Sequence, residues 1–91
     1  MASVIVTLKI MPCEPGVDLV KIENKAKEII SRFGGDVGKA EIEPIAFGLK
    51  ALKLIFIMDE KIGSTDKLEE DIAALDDVES VIVEDVRRAI G

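Results

Sequence analysis

The chain has 91 residues, of which 48% are hydrophobic and 33% are charged, and its net charge is −6. This length predicts one compact domain over residues 1–91, because a second hydrophobic core would need a longer chain. No apolar run reaches the roughly 18 residues of a membrane span, the first residues lack the pattern of a signal peptide, and the acidic balance argues against binding nucleic acid through clustered cations. We therefore expect a cytoplasmic domain with no membrane or nucleic-acid partner.

The residue types that most often carry catalysis or metals are scarce. The chain contains no histidine and a single cysteine, Cys13, so the usual zinc and haem sites lack ligands and histidine acid–base chemistry is excluded. The carboxylates do not follow the spacing of a calcium-binding loop, and Cys13 has no basic neighbour closer than Lys9 to activate its thiol. The sequence thus predicts a protein that is not an enzyme and has no cofactor, metal site or catalytic residue.

The periodicity of the apolar residues predicts six elements in the order strand, helix, strand, strand, helix, strand. In chain order they are a strand over 3–11, a helix from the N-cap Asp18 to about residue 33, an edge strand over 37–43, a strand over 49–59, a helix after Ser64 or Thr65 with the apolar stripe Leu68, Ile72 and Leu75, and a strand over 78–86. Two crossovers joining four short strands give an α+β fold, the ferredoxin-like split β-α-β sandwich, in which both helices lie on one face of a four-stranded antiparallel sheet.

The other face of this sheet would carry no helix. The first and third strands are the most aliphatic and are predicted to be central, with Ile5, Ile55, Ile57 and Ile82 on the open face. A contiguous aliphatic area would be a contact surface, including a weak homodimer interface, because monomers rarely leave one bare. The alternative is a set of scattered exposed side chains, and the spacing leaves both open.

The loop between the second and third strands is unusually apolar. It presents Ile45, Ala46 and Phe47 directly before Gly48, which frees the backbone. Phe47 is then either an anchor at the tip for a pocket in a partner or a core residue folded beneath a helix, and the spacing does not decide between them.

Two other segments carry notable residue types. Arg87 and Arg88 are the only adjacent basic residues, and they follow an acidic strand near the end of the chain. The glycine-rich segment 34–40 differs from a phosphate-binding loop in its spacing and is followed by a strand, so we expect no nucleotide to bind there.

Several stretches together form a recognisable pattern: Pro44-Ile45-Ala46-Phe47-Gly48-Leu49-Lys50-Ala51-Leu52, the aliphatic residues and Asp59-Glu60 that follow, and the ending Asp85-Val86. This pattern resembles the translation elongation factor 1-beta family. The compact length and the opening Val-Ile-Val-Thr-Leu-Lys-Ile-Met-Pro at 4–12 make the chain most similar to the archaeal members. The resemblance covers essentially the whole chain.

The resemblance implies the ferredoxin-like fold and the activity of a guanine nucleotide exchange factor. Its partner would be elongation factor 1-alpha, the GTPase that delivers aminoacyl-tRNA to the ribosome, from which it would promote the release of GDP without binding nucleotide itself. In eukaryotic relatives an aromatic loop residue and a lysine near the C-terminus contact the GTPase. Phe47 matches the aromatic residue, whereas the lysine has no match and the nearest basic residues are Arg87 and Arg88. The partner-binding residues implied are Pro44, Ile45, Ala46, Phe47, Gly48, Leu49, Lys50, Asp85, Arg87 and Arg88.

A second function class remains open from the sequence. The same topology serves in regulatory modules that bind small ligands, and a fold does not fix a function. Such a module would need a polar pocket, which nothing in the loops indicates.

Overall fold

The computed structural model describes residues 2–89. Its elements are β1 (Ser3–Pro12), α1 (Leu19–Phe33), β2 (Asp36–Pro44), β3 (Lys50–Asp59), a turn of 3-10 helix at Glu60–Ile62, α2 (Asp66–Ala73) and β4 (Val78–Ala89). This order and the single four-stranded antiparallel sheet confirm the ferredoxin-like α+β fold. Neither helix in this part of the chain combines the length and the apolar character that a transmembrane segment requires.

The sheet has the strand order β2-β3-β1-β4, so the two most aliphatic strands are central, as predicted. Leu8 of β1 lies opposite Leu54 of β3 on one side and Val83 of β4 on the other. Because side chains alternate along a strand, this register places every second residue of the central strands beneath the helices. The core comprises Val6, Leu8, Ile10, Ile22, Ala26, Ile30, Leu52, Leu54, Phe56, Met58, Leu68, Ile72 and Val78.

Helix α1 begins and ends as its sequence predicts. The Asp18 carboxylate accepts hydrogen bonds from the backbone N–H groups of Val20 at 3.0 Å and Lys21 at 3.4 Å, which satisfies two of the free donors at the N-terminus. At the other end Gly34 adopts φ +108°, the left-handed conformation that commonly ends a helix. These two residues fix the length of the helix.

The largest differences from the predicted boundaries lie at the ends of the last strand and of the second helix. The last strand extends to Ala89 because its ladder with β1 continues as far as the pair Ser3↔Ala89, so Arg87 and Arg88 belong to the strand and not to a tail. Helix α2 ends at Ala73, and Leu75 packs against the core from the turn that follows. Thr65, one of the two predicted caps, occupies the N-cap position without a capping hydrogen bond from its side chain, whereas the Ser64 hydroxyl oxygen accepts the Asp66 N–H at 3.1 Å.

The open face of the sheet carries an ion-pair network with one residue from each strand. Lys53 of β3 contacts Glu43 of β2 at 2.6 Å and Glu84 of β4 at 2.9 Å, and Lys9 of β1 lies 3.4 Å from Glu43 and 4.0 Å from Glu84. The hydrogen bond from Lys53 lowers the pKa of the Glu43 carboxyl group, and hydrogen bonds to Glu43 and Glu84 raise the pKa of Lys53. The network thus links all four strands.

The predicted isoleucines do lie on this open face. Ile5 pairs with Ile57, and Ile55 lies two residues before Ile57 in β3, whereas Ile82 pairs with Lys9 on the edge strand β4. The ion-pair network therefore separates Ile82 from the other three, and the aliphatic area is divided into two parts.

Candidate partner-binding site

Phe47 lies at the tip of the β2–β3 hairpin with 97% of its surface exposed. The alternative in which it folds beneath a helix is therefore wrong. Phe47 and Gly48 have φ values of +52° and +81°, and the Leu49 N–H donates to the Ala46 carbonyl at 2.8 Å. Positive φ at both central residues is typical of a type I′ turn, the tight turn that suits the twist of a hairpin.

The stem of the hairpin explains why this side chain cannot turn inward. The last pair of the ladder is Pro44↔Lys50, which leaves the loop 45–49, and the Ile45 N–H closes this loop by donating to the Leu49 carbonyl at 2.9 Å. A bulky residue at positive φ costs about 1–3 kcal/mol, and such strain is often found at functional sites.

A groove of about 310 Å³ lies beside the hairpin, between its stem and the connection from β1 to α1. Its lining residues are Pro12, Pro15, Val17, Asp18, Leu19, Val20, Ile42, Gly48 and Lys50. We call it the tip groove. Val20 and Ile42 are 61% and 54% exposed, and sequence reasoning did not select either residue. Both could have been selected from the sequence, because Val20 falls outside the apolar stripe of α1 and Ile42 is an aliphatic residue in an edge strand.

The remaining predicted residues lie on β4. The Arg87 Nε–H donates to Asp85 at 2.8 Å, and the Arg88 guanidinium donates to Glu60 at 2.6 Å. Asp85 lies opposite Thr7 next to a register shift in the β1–β4 ladder. All of these charged groups are exposed, which makes their ion pairs weak and exchangeable.

The structure does not bring the two groups of predicted residues together. Residues 44–50 surround the hairpin tip, whereas Arg87 lies in register with Ile5 and, through it, with Ile57 of β3. Lys50 and Ile57 are separated by ~23 Å along β3 at about 3.3 Å per residue. The predicted set is therefore two separate regions at opposite ends of the sheet.

Residues 2–89 show no group of three or more histidine, cysteine or acidic residues that could hold a metal ion. Cys13 lies near acidic side chains, and desolvation and the charge of Glu79 raise the pKa of its thiol. Both effects disfavour the reactive thiolate. Binding of a partner at this site would consequently depend on apolar surface and charge.

The family model of the EF-1 guanine nucleotide exchange domain matches residues 5–89. The chain belongs to the EF-1 guanine nucleotide exchange domain family. It is similar to archaeal proteins named elongation factor 1-beta: it is 47% identical over 88 residues to that of Methanobrevibacter smithii, covering 97% of this chain and 98% of the relative. The factor of Staphylothermus marinus is 40% identical over 89 residues, at 97% and 98% coverage, and that of Methanococcoides burtonii 39% over 90 residues, at 99% and 100%.

These matches confirm the resemblance seen in the sequence. The protein has a guanine nucleotide exchange role in translation elongation, which makes it an exchange factor. The small-ligand-binding regulatory module is not favoured.

Proposed function

We propose that the protein promotes GDP release from elongation factor 1-alpha in the cytoplasm by direct contact, with Phe47 as its main apolar contact. The observation that carries this proposal is the nearly complete exposure of Phe47 on a turn with left-handed backbone. A large aromatic side chain held in water gains free energy when a partner's pocket covers it, about 1.5–3 kcal/mol for full burial.

Nucleotide exchange follows from the coupling of two binding equilibria. If the protein binds the nucleotide-free GTPase more tightly than the GDP-bound form, it must weaken GDP binding by the same ratio of affinities. A coupling of about 1–3 kcal/mol corresponds to a roughly 5- to 150-fold loss of nucleotide affinity. The factor changes no covalent bond and needs no cofactor or metal of its own in this mechanism.

The charged residues would supply complementary contacts around Phe47 and at a second region. Lys50 follows the tip at the start of β3, and Arg87 and Arg88 stand at the opposite end of the sheet. Because the ion pairs of the two arginines are exposed, a carboxylate of the partner can replace Asp85 or Glu60 at little cost. These arginines would then take the place of the terminal lysine of the eukaryotic relatives.

The test is release of fluorescent GDP from elongation factor 1-alpha. We expect the wild-type protein to accelerate release, and Phe47→Ala to reduce the acceleration at least tenfold, the effect of losing an interfacial contact of about 1.4 kcal/mol. Its melting temperature should not change, because the side chain makes little contact within the protein. Ile82→Ala, which truncates an exposed side chain on the open face, is the control and should act like wild type. Full activity of Phe47→Ala would contradict the assignment of Phe47.

A further inference from the structure

The exposed aliphatic side chains that line the tip groove come from separate parts of the chain. Ile42 belongs to β2 and Val20 to the first turn of α1, yet both line the tip groove together with Gly48. A side chain at Gly48 would lie 3.7 Å from the Pro15 Cβ, so the base of the tip approaches the β1–α1 connection closely. The groove therefore begins at Gly48, the residue that follows Phe47 in the chain.

The groove is lined by one cation and one anion, which differ in their partners. Lys50 lines it and forms no ion pair within residues 2–89. Asp18 also lines it, but its carboxylate already accepts hydrogen bonds from two backbone N–H groups of α1. An occupant that matches this groove is apolar and brings a carboxylate for Lys50.

The open face of the sheet offers a poorer surface for the same role. Lys9 and Lys53 on that face both contact Glu43 and Glu84, and the network they form separates Ile82 from the other isoleucines. The tip groove instead combines exposed aliphatic residues with a cation that is free to pair with a partner.

We propose that the tip groove binds an apolar segment of the GTPase that carries an acidic residue, so that the interface continues from Phe47 to the N-terminal turn of α1. This inference rests on the proposed function, extends it to Val20 and Ile42, and gives Lys50 an acidic residue as its contact. A second copy of the chain is the competing occupant, which the oligomeric state tests.

The first experiment compares Ile42→Thr with Ile82→Thr in binding to nucleotide-free elongation factor 1-alpha. The two residues are 54% and 53% exposed, and both lie in edge strands, so the substitutions remove the same atoms from similar positions. We expect Ile42→Thr to raise Kd about tenfold, whereas Ile82→Thr should stay within about twofold of wild type. Equal affinities of the two variants would overturn the inference.

The second experiment tests the charge without altering the apolar packing. Lys50→Gln should weaken binding and reduce its dependence on salt concentration, because a charge pair across the interface is screened by salt. An unchanged salt dependence would overturn the role of Lys50, even if Ile42→Thr proved too unstable to study.

The outcomes also separate this inference from the proposed function. If wild type binds and accelerates GDP release while Phe47→Ala does not, but Ile42→Thr matches Ile82→Thr, only the groove assignment fails. If wild type binds no GTPase, both fail. If sedimentation shows self-association of wild type that Ile42→Thr abolishes, the groove binds a second copy and the assignment to the GTPase is wrong.

Discussion

At the scale of single residues, the conformation of the hairpin tip depends on what Gly48 permits. A side chain added to Gly48 would meet no atom closer than the Pro15 Cβ at 3.7 Å, so space does not require glycine there. The φ of +81° at Gly48 does require glycine, because most side chains in the left-handed region clash with their own backbone. Gly48 thus acts as a positioning residue for Phe47.

The comparison of Gly48→Ala with Gly48→Asn tests this role. Both substitutions add a Cβ atom, but asparagine tolerates the left-handed region and alanine does not. We expect Gly48→Ala to lower the free energy of unfolding by about 1 kcal/mol and to impair GDP release, whereas Gly48→Asn keeps most of both. Urea unfolding and the GDP-release assay provide the measurements. Equal activities of the two variants would show that the left-handed conformation at Gly48 is unimportant.

The exposure of Phe47 could not be predicted from the sequence. Both alternatives for this residue fit the spacing of apolar residues, because the decision depends on the register of β2 against β3. The pair Pro44↔Lys50 leaves too few residues for Phe47 to return beneath a helix. Register is a property of two strands together, whereas the motif around Phe47 could be recognised from one segment alone.

At the scale of elements, the interiors of helices and strands could be predicted from the sequence better than their ends. The apolar stripe of α1 and its cap Asp18 act locally and are visible in a single segment. The end of β4 is set by its ladder with β1, which continues to Ser3↔Ala89. Arg87 and Arg88 consequently lie on a paired strand, and the sequence could not place them there because the partner strand is distant in the chain.

The ion-pair network joins all four strands on the open face, and its titration should affect stability. The pKa of Glu43 is lowered from its ordinary 4.5 in the folded protein, so its contribution is present above that pH and is lost as the pH falls through the folded value. The pKa of Lys53 is raised from 10.5, so its contribution is present below that pH and is lost only as the pH rises above it. At neutral pH both contributions are present.

We therefore expect Glu43→Gln to lower the melting temperature at pH 7 and to reduce the loss of stability on acidification below about pH 4.5. The matched control is Glu70→Gln on α2, since Glu70 has no ion pair in the part of the chain that the structure describes. Thermal unfolding from pH 7 to pH 3 measures the effect. Parallel curves for Glu43→Gln and wild type would contradict it.

At the scale of the whole molecule, the distance between the hairpin tip and the arginines of β4 limits how the protein can contact a partner. The protein measures 42 × 21 × 17 Å along its principal axes, and the hairpin tip and the arginines of β4 stand at opposite ends of the sheet. A partner that contacts both regions must span at least the ~23 Å that separates Lys50 from Ile57 along β3. The sequence indicated both regions but not their separation, because that follows from the strand order and register.

This separation predicts that the two regions contribute independently to binding. Residues more than 7–10 Å apart with no shared partner usually show additive effects, and the ~23 Å along β3 far exceeds that distance. In a double-mutant cycle of Phe47→Ala and Arg88→Gln, we expect the changes in binding free energy to add within about 0.5 kcal/mol. The measurement is the Kd for nucleotide-free elongation factor 1-alpha. A coupling energy of about 1 kcal/mol or more would contradict independent contributions and would mean that the contacts form together.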